Sequence, residues 1–242
     1  MDFKSFIYYK IVYPLVIKLD KLRGLDFLLP IKPEEVGLDP KRSNASEPSS
    51  KRFLKKVLSD FTLSSNDCIL DVGCGKGSAI RTMLKFPVGK VDGIELSDHI
   101  ARIANQNLIR LNSKTSKIFN GDAAQFTGYD AYNFIYFYNP FPSFVMSAVI
   151  NSLIQSIHRT QREVVIIYLN PLCNDVIVNN SVFSKVGIYY RRGNWITIYS
   201  NHIYSNSIVS TNKKMQRVVE GSPLDDALKA YIILKNQQEN EC

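Results

Sequence analysis

Four stretches of the chain combine residue types whose spacing can hold and orient a ligand. The first is residues 69–77, Ile-Leu-Asp-Val-Gly-Cys-Gly-Lys-Gly, placed where an apolar run passes into a helical pattern. Glycines at Gly73, Gly75 and Gly77 let the backbone turn tightly and approach a ligand without Cβ clashes. The helix start behind them can turn N–H groups toward a carboxylate. Asp71, at the end of the apolar run, supplies the opposite charge. Where the GxGxxG pattern requires a third glycine the chain has Ser78, so the spacing argues against a pyrophosphate-binding loop.

The second stretch, residues 91–97, places Glu95 24 residues after Asp71. That is close to the interval of roughly 20 at which a strand-end acid accepts both ribose hydroxyls; a solvent-facing glutamate is the plainer alternative. The third, residues 120–124, centres on Gly121-Asp122 and reads in isolation as an Asx turn. The fourth, residues 136–142, carries Asn139-Pro140 between Tyr138 and Phe141. Taken by itself it reads as a strand-ending turn with core aromatics. Residues 164–174 repeat the strand-to-Asn-Pro pattern. Tyr168 and Asn170 there belong either to a structural turn or to the neighbouring wall of a cleft.

These stretches need a scaffold that brings strand ends together, and the hydrophobic periodicity supplies one. Helical patterns are predicted at 51–61, 78–86, 98–111, 142–158 and 222–236, and strand patterns at 68–72, 90–94, 116–120, 132–138 and 163–169. Ser49 or Ser50 can cap the first of these helices, Ser97 the third and Ser222 the last. Alternation of strand and helix with short connections is the signature of a parallel sheet covered on both faces. Residues 185–190 and 195–199 flank Arg191-Arg192-Gly193-Asn194 and read as a hairpin, which the ordinary dinucleotide-binding fold lacks.

With these elements in view, residues 71–77 resemble motif I of the class I, Rossmann-like methyltransferases. The resemblance spans roughly 51–201. It implies an α/β three-layer sandwich with a mostly parallel seven-stranded sheet whose last strand is antiparallel, consistent with the hairpin. It also implies S-adenosyl-L-methionine as cofactor, held by Asp71, Gly73, Cys74, Gly75, Gly77, Glu95, Leu96, Asp122 and Ala123. In the family the first acid meets the cofactor's ammonium, and the acid of the third motif meets the adenine amino group. The Asn139-Pro140 turn is similar to the Asn-Pro-Pro-aromatic motif of amino-methylating members, but only one proline separates Asn139 from Phe141. By the resemblance Asn139 positions the acceptor, with Tyr138 and Phe141 lining the site. Transfer to a nitrogen or oxygen nucleophile is the implied reaction. A sulfonium methyl is already activated, so alignment is the main requirement. The alternatives are a non-catalytic cofactor-binding or membrane-surface module and a nicotinamide-dependent oxidoreductase.

The remainder of the chain bounds these readings. At 242 residues there is room for one principal α/β domain, predicted as 49–242, preceded by an extension, 1–48. Lys and Arg outnumber Asp and Glu by 30 to 22, but the basic residues are scattered, which points only weakly to nucleic acid. Cys68, Cys74, Cys173 and Cys242 form no CxxC pair or disulfide framework. Reduced thiols in a cytoplasmic protein fit that spacing. His99, His158 and His202 have no zinc-site spacing, so no metal is expected. In the extension, the uncharged run 11–17 is far short of the roughly 20 apolar residues of a spanning helix. Apolar residues interleaved with Lys4, Lys10, Lys18, Lys21 and Arg23 suit a cap over the domain or, through residues 1–30, a helix lying on a membrane surface. Residues 30–50, with Pro30, Pro33, Pro40 and Pro48 among Glu, Asn and Ser, read as an irregular connector or a mobile lid.

Overall fold

The structure, a computed structural model, describes residues 8–49, 51–191, 193–201 and 223–240. Its centre is a seven-stranded sheet built from β1 (Cys68–Val72), β2 (Lys90–Glu95), β3 (Ile118–Asn120), β4 (Phe134–Tyr138), β5 (Val165–Leu169), β6 (Ser184–Arg191) and β7 (Asn194–Ser200). The spatial order is β3-β2-β1-β4-β5-β7-β6. Strands β1 to β5 run parallel, whereas β7 enters antiparallel to β5, pairing Val165 with Ser200 and Leu169 with Ile196. The hairpin turns at Gly193, whose φ is +80°. Arg192 and Ser222, each named in a predicted turn or cap, lie outside the described residues, as do Ser50, His202 and Cys242.

Side chains alternate across a strand, and here the alternation feeds two separate cores. Ile69, Val91, Phe134, Tyr136 and Ile167 face one side. There they meet α2 (Lys51–Leu58), α3 (Ser78–Met83) and α4 (Asp98–Arg110). Leu70, Val72, Ile94, Ile135, Phe137 and Tyr168 face the other, against α5 (Ser143–Arg159) and the short α6 (Asn174–Val178). The result is the helix–sheet–helix sandwich, with all of its parallel strands ending on one edge. Ser97 caps α4 by accepting the Ile100 N–H. Helix α2 stops at Leu58, short of the predicted end at residue 61, because the chain turns through Ser59 and Asp60 to bring Phe61 edge-on against Phe134.

Outside the sandwich lie a π-helical turn (Tyr8–Val12) running into α1 (Tyr13–Leu22), an irregular segment containing the 3₁₀ turn Pro33–Val36, and the last helix, α7 (Pro223–Asn240). Helix α7 is attached by Leu228 and Ile232, which pack with Ile188 and Trp195. No helix among the described residues is long and apolar enough to cross a membrane.

Candidate functional site

At the carboxyl edge of the parallel strands is a cavity of about 440 Å³, a size suited to a nucleoside-sized ligand. It is lined by Asp71, Gly73, Cys74, Gly75, Glu95, Leu96, Asp122, Ala123, Tyr138, Asn139 and Phe141. The four sequence stretches, scattered over some seventy residues, therefore meet in one place. Gly77 starts α3 in the left-handed conformation, with φ +83°, just behind the lining.

The loop after β1 needs glycine for two separate reasons. Gly73 has φ +73°, and a Cβ there would run into the ring of Pro140; Gly75 has φ +51°, and a Cβ there would strike the Ser46 hydroxyl. The loop's N–H groups are mostly engaged within the protein. Gly73 and Cys74 both donate to the Ile94 carbonyl, Gly77 to the Cys74 carbonyl, and Gly75 to Glu95 Oε2 at 3.0 Å. Only the first-turn N–H groups of α3 lack a carbonyl within their own helix.

The acids differ sharply in how they are satisfied. Glu95 is buried with Oε1 accepting the Ser97 N–H at 2.9 Å and Oε2 the Gly75 N–H. Burial raises its pKa, and these N–H bonds work against the rise. Asp122 accepts the Ala124 N–H through Oδ1, which is the Asx-type cap, while Oδ2 accepts from Arg42 at 3.2 Å. Asp71 is the exception. It is 2% exposed, and its Oδ2 has no hydrogen-bond partner. Burial, with the nearby Glu95 charge adding to it, pushes its carboxyl up to about 8. Burial beside Asp71 and Glu95 likewise pushes the Cys74 thiol up.

The reaction-side turn is tightly held. Asn139 has φ +38°, and its Oδ1 accepts from the buried Tyr168 hydroxyl at 3.4 Å. Asn170, also left-handed at φ +50°, lines the cavity and bonds the main chain of Trp195 through both its N–H and Oδ1. Phe141 is buried and edge-on to Phe137, so it is as much core as lining. Burial, and then the adjacent Glu47, push the Tyr138 hydroxyl up to about 12. Tyr138 donates to Glu47 Oε2.

The segment that reads in sequence as a connector or lid completes the enclosure, through residues that its composition does not individually single out. The segment after α1 runs over the cavity as a strap. Its Asn44 donates twice, side chain to the Asn139 carbonyl at 2.7 Å and main chain to the Pro140 carbonyl at 3.1 Å. The strap is moored by the buried Lys76, which pairs with Asp26 at 2.7 Å. Asn107 bonds Asp26 through both N–H and carbonyl and also reaches the Lys76 carbonyl. An asparagine inside the buried stripe of α4 is the one signal in the sequence that points to this mooring. From the other side α7 brings Tyr231 and Lys235 to the cavity.

Comparison with known proteins agrees with this architecture. Residues 69–163 match the family model described as "Methyltransferase domain". Among solved structures, an S-adenosylmethionine-dependent methyltransferase from Aquifex aeolicus aligns at 13% identity over 63% of this chain and 93% of its own, with a TM-score of 0.50. An RNA methyltransferase from Salinibacter ruber, in complex with S-adenosyl-L-homocysteine, aligns at 13% identity over 67% of this chain and 99% of its own, with a TM-score of 0.50. No curated protein sequence matches the chain. Residues 69–163 thus resemble a methyltransferase domain, and the seven-stranded sheet has the class I, Rossmann-like fold found in S-adenosylmethionine-dependent methyltransferases.

Proposed function

We propose that the protein is an S-adenosyl-L-methionine-dependent methyltransferase acting on a nitrogen or oxygen nucleophile, with residues 49–242 as the catalytic domain and 1–48 as an extension that straps the site. The observation that carries this reading is the unpartnered Oδ2 of Asp71, buried at the floor of the cavity. A buried carboxylate oxygen without a donor costs about 1–3 kcal/mol or more, and a cationic ammonium would satisfy it. Asp71, Glu95 and Asp122 line one cavity, with Asp122 paired to Arg42 and Lys76 paired to Asp26. Once Asp71 ionises against an ammonium, such a site suits a cation bearing hydroxyl and amino groups better than a pyrophosphate, which speaks against a nicotinamide dinucleotide.

In this reading Asp71 takes the amino-acid ammonium of the cofactor, and the glycine loop at Gly73, Cys74, Gly75 and Gly77 admits its backbone. Glu95, whose oxygens each keep a lone pair after their N–H bonds, accepts the ribose hydroxyls beside Leu96. Asp122 accepts the adenine amino group, with Ala123 against the ring. The cofactor supplies an activated methyl on sulfur. The chain's part is to align the acceptor. Asn139 positions it, Tyr138 and Phe141 wall it in, and the strap excludes water. The carbonyls of Asn139 and Pro140 already accept N–H donors, from Asn44, and an amino acceptor shares that chemistry.

Side-by-side calorimetric titration with S-adenosylmethionine and NAD⁺ tests the reading. Saturable one-to-one binding of the first and none of the second is expected. Binding of the dinucleotide alone, or of neither, would refute it.

A further inference from the structure

The helical run of residues 8–22 presents the wrong face to solvent for a helix of a water-soluble domain. Its inward side is fixed by polar contacts. Asp20 is buried and pairs with Arg81 at 3.2 Å, and the Tyr13 hydroxyl donates to the Leu28 carbonyl at 2.6 Å. Its outward side is aliphatic. Ile11, Leu15, Leu19 and Leu22 are 59%, 59%, 45% and 76% exposed, with Val12 and Val16 beside them. Spacings of three and four residues put these side chains on one stripe. Lys10, Lys18, Lys21 and Arg23 are exposed around it. The one acid in the run, Asp20, points the other way, so among the described residues nothing neutralises these four cations.

We propose that this helix lies along the surface of an anionic lipid bilayer, its aliphatic stripe in the headgroup boundary and its lysines and arginine on lipid phosphates. The partner is assigned by charge as well as by apolarity. A protein groove would satisfy the stripe alone, whereas a ring of unopposed cations around an aliphatic strip matches an anionic interface. The helix is about 20 Å long at 1.5 Å per residue, too short to cross the roughly 30 Å hydrocarbon core, so it lies in the plane. It is joined firmly to the body, since Arg81 holds Asp20 and also covers the Phe27 ring at 4.9 Å. No residue of the run lines the cavity, so the proposal stands apart from the reaction assigned to the site.

The test is sedimentation of the full chain with vesicles of phosphatidylcholine alone and of phosphatidylcholine mixed with phosphatidylglycerol. It compares the wild type with Leu15→Glu/Leu19→Glu and Lys18→Glu/Lys21→Glu. All four positions are exposed, and unchanged melting temperatures verify folding. Binding to the anionic vesicles is expected, weakening with salt and falling roughly tenfold or more in each variant. Absence of binding, or binding indifferent to both variants, overturns the proposal. So does loss of a dimer in Leu15→Glu/Leu19→Glu without any vesicle binding in the wild type, which would assign the stripe to a second copy of the chain.

Discussion

The side-chain amide of Asn44 donates to the main-chain carbonyl of Asn139 over 2.7 Å, across 95 residues of sequence. With the Asn44 N–H on the Pro140 carbonyl, this latches the strap to the turn assigned to the acceptor. Asn44→Ala removes one of the two bonds, worth about 1 kcal/mol. Limited proteolysis within the strap should then accelerate roughly fivefold at an unchanged global melting temperature. An unchanged cleavage rate would show that the latch does not hold the strap.

Arg42 reaches Asp122 Oδ2 from the same strap, with 53% of its side chain exposed. An adenine amino group donating to Asp122 would have to share or displace it. An exposed pair contributes about 0.2–1 kcal/mol, so Arg42→Ala should tighten S-adenosylmethionine binding by up to about fivefold in calorimetry. Weaker binding would mean that the guanidinium itself touches the ligand.

Gly73 combines a left-handed backbone with the Pro140 ring standing where a Cβ would be. Gly73→Ala should lose about 1–2 kcal/mol from the backbone alone, more from the collision, and cofactor affinity with it. Urea unfolding and the binding titration read the two effects. A variant with wild-type stability would contradict the geometry around the loop.

Lys76 is nearly buried against the half-exposed Asp26. Asp26→Asn leaves that ammonium without its counter-charge while retaining much of the side-chain shape. A loss of about 1–3 kcal/mol should appear as a lower melting temperature. A change within about 0.5 kcal/mol would mean that Lys76 finds another partner.

The sandwich was legible because its signals are local. The apolar run of β1 ending in spaced glycines, the Ser97 cap and the Gly193 turn each depend on residues a few positions apart, and each element forms where its pattern lies. Convergence of Asp71, Glu95, Asp122 and Asn139 was legible for a related reason, since parallel strands place their carboxyl ends on one edge. What pairs over long distances was not. Arg42 meets Asp122 from 80 residues away and Lys76 meets Asp26 from 50, and neither spacing leaves a periodic trace. The engagement of the loop's N–H groups by Ile94 and Glu95 was hidden for the same reason. Helix α1 shows a further limit: an amphipathic pattern tells that a helix has two faces but not which faces inward, and here the burial of Asp20 decided it.

On the proposed reading, Asp71 meets the ammonium of a cationic methyl donor. Its carboxyl, raised to about 8, is mostly protonated at neutral pH in the free protein and must ionise to meet an ammonium. The sign follows from linkage: binding releases a proton below pH 8, and affinity rises by up to about tenfold per pH unit as pH increases from 6 to 7. Titration of S-adenosylmethionine at pH 7 in two buffers of different ionisation enthalpy measures this directly. One-site binding with release of close to one proton, the release abolished and affinity reduced in Asp71→Asn, is expected. No binding, or binding without proton release and unaltered by Asp71→Asn, would contradict the account.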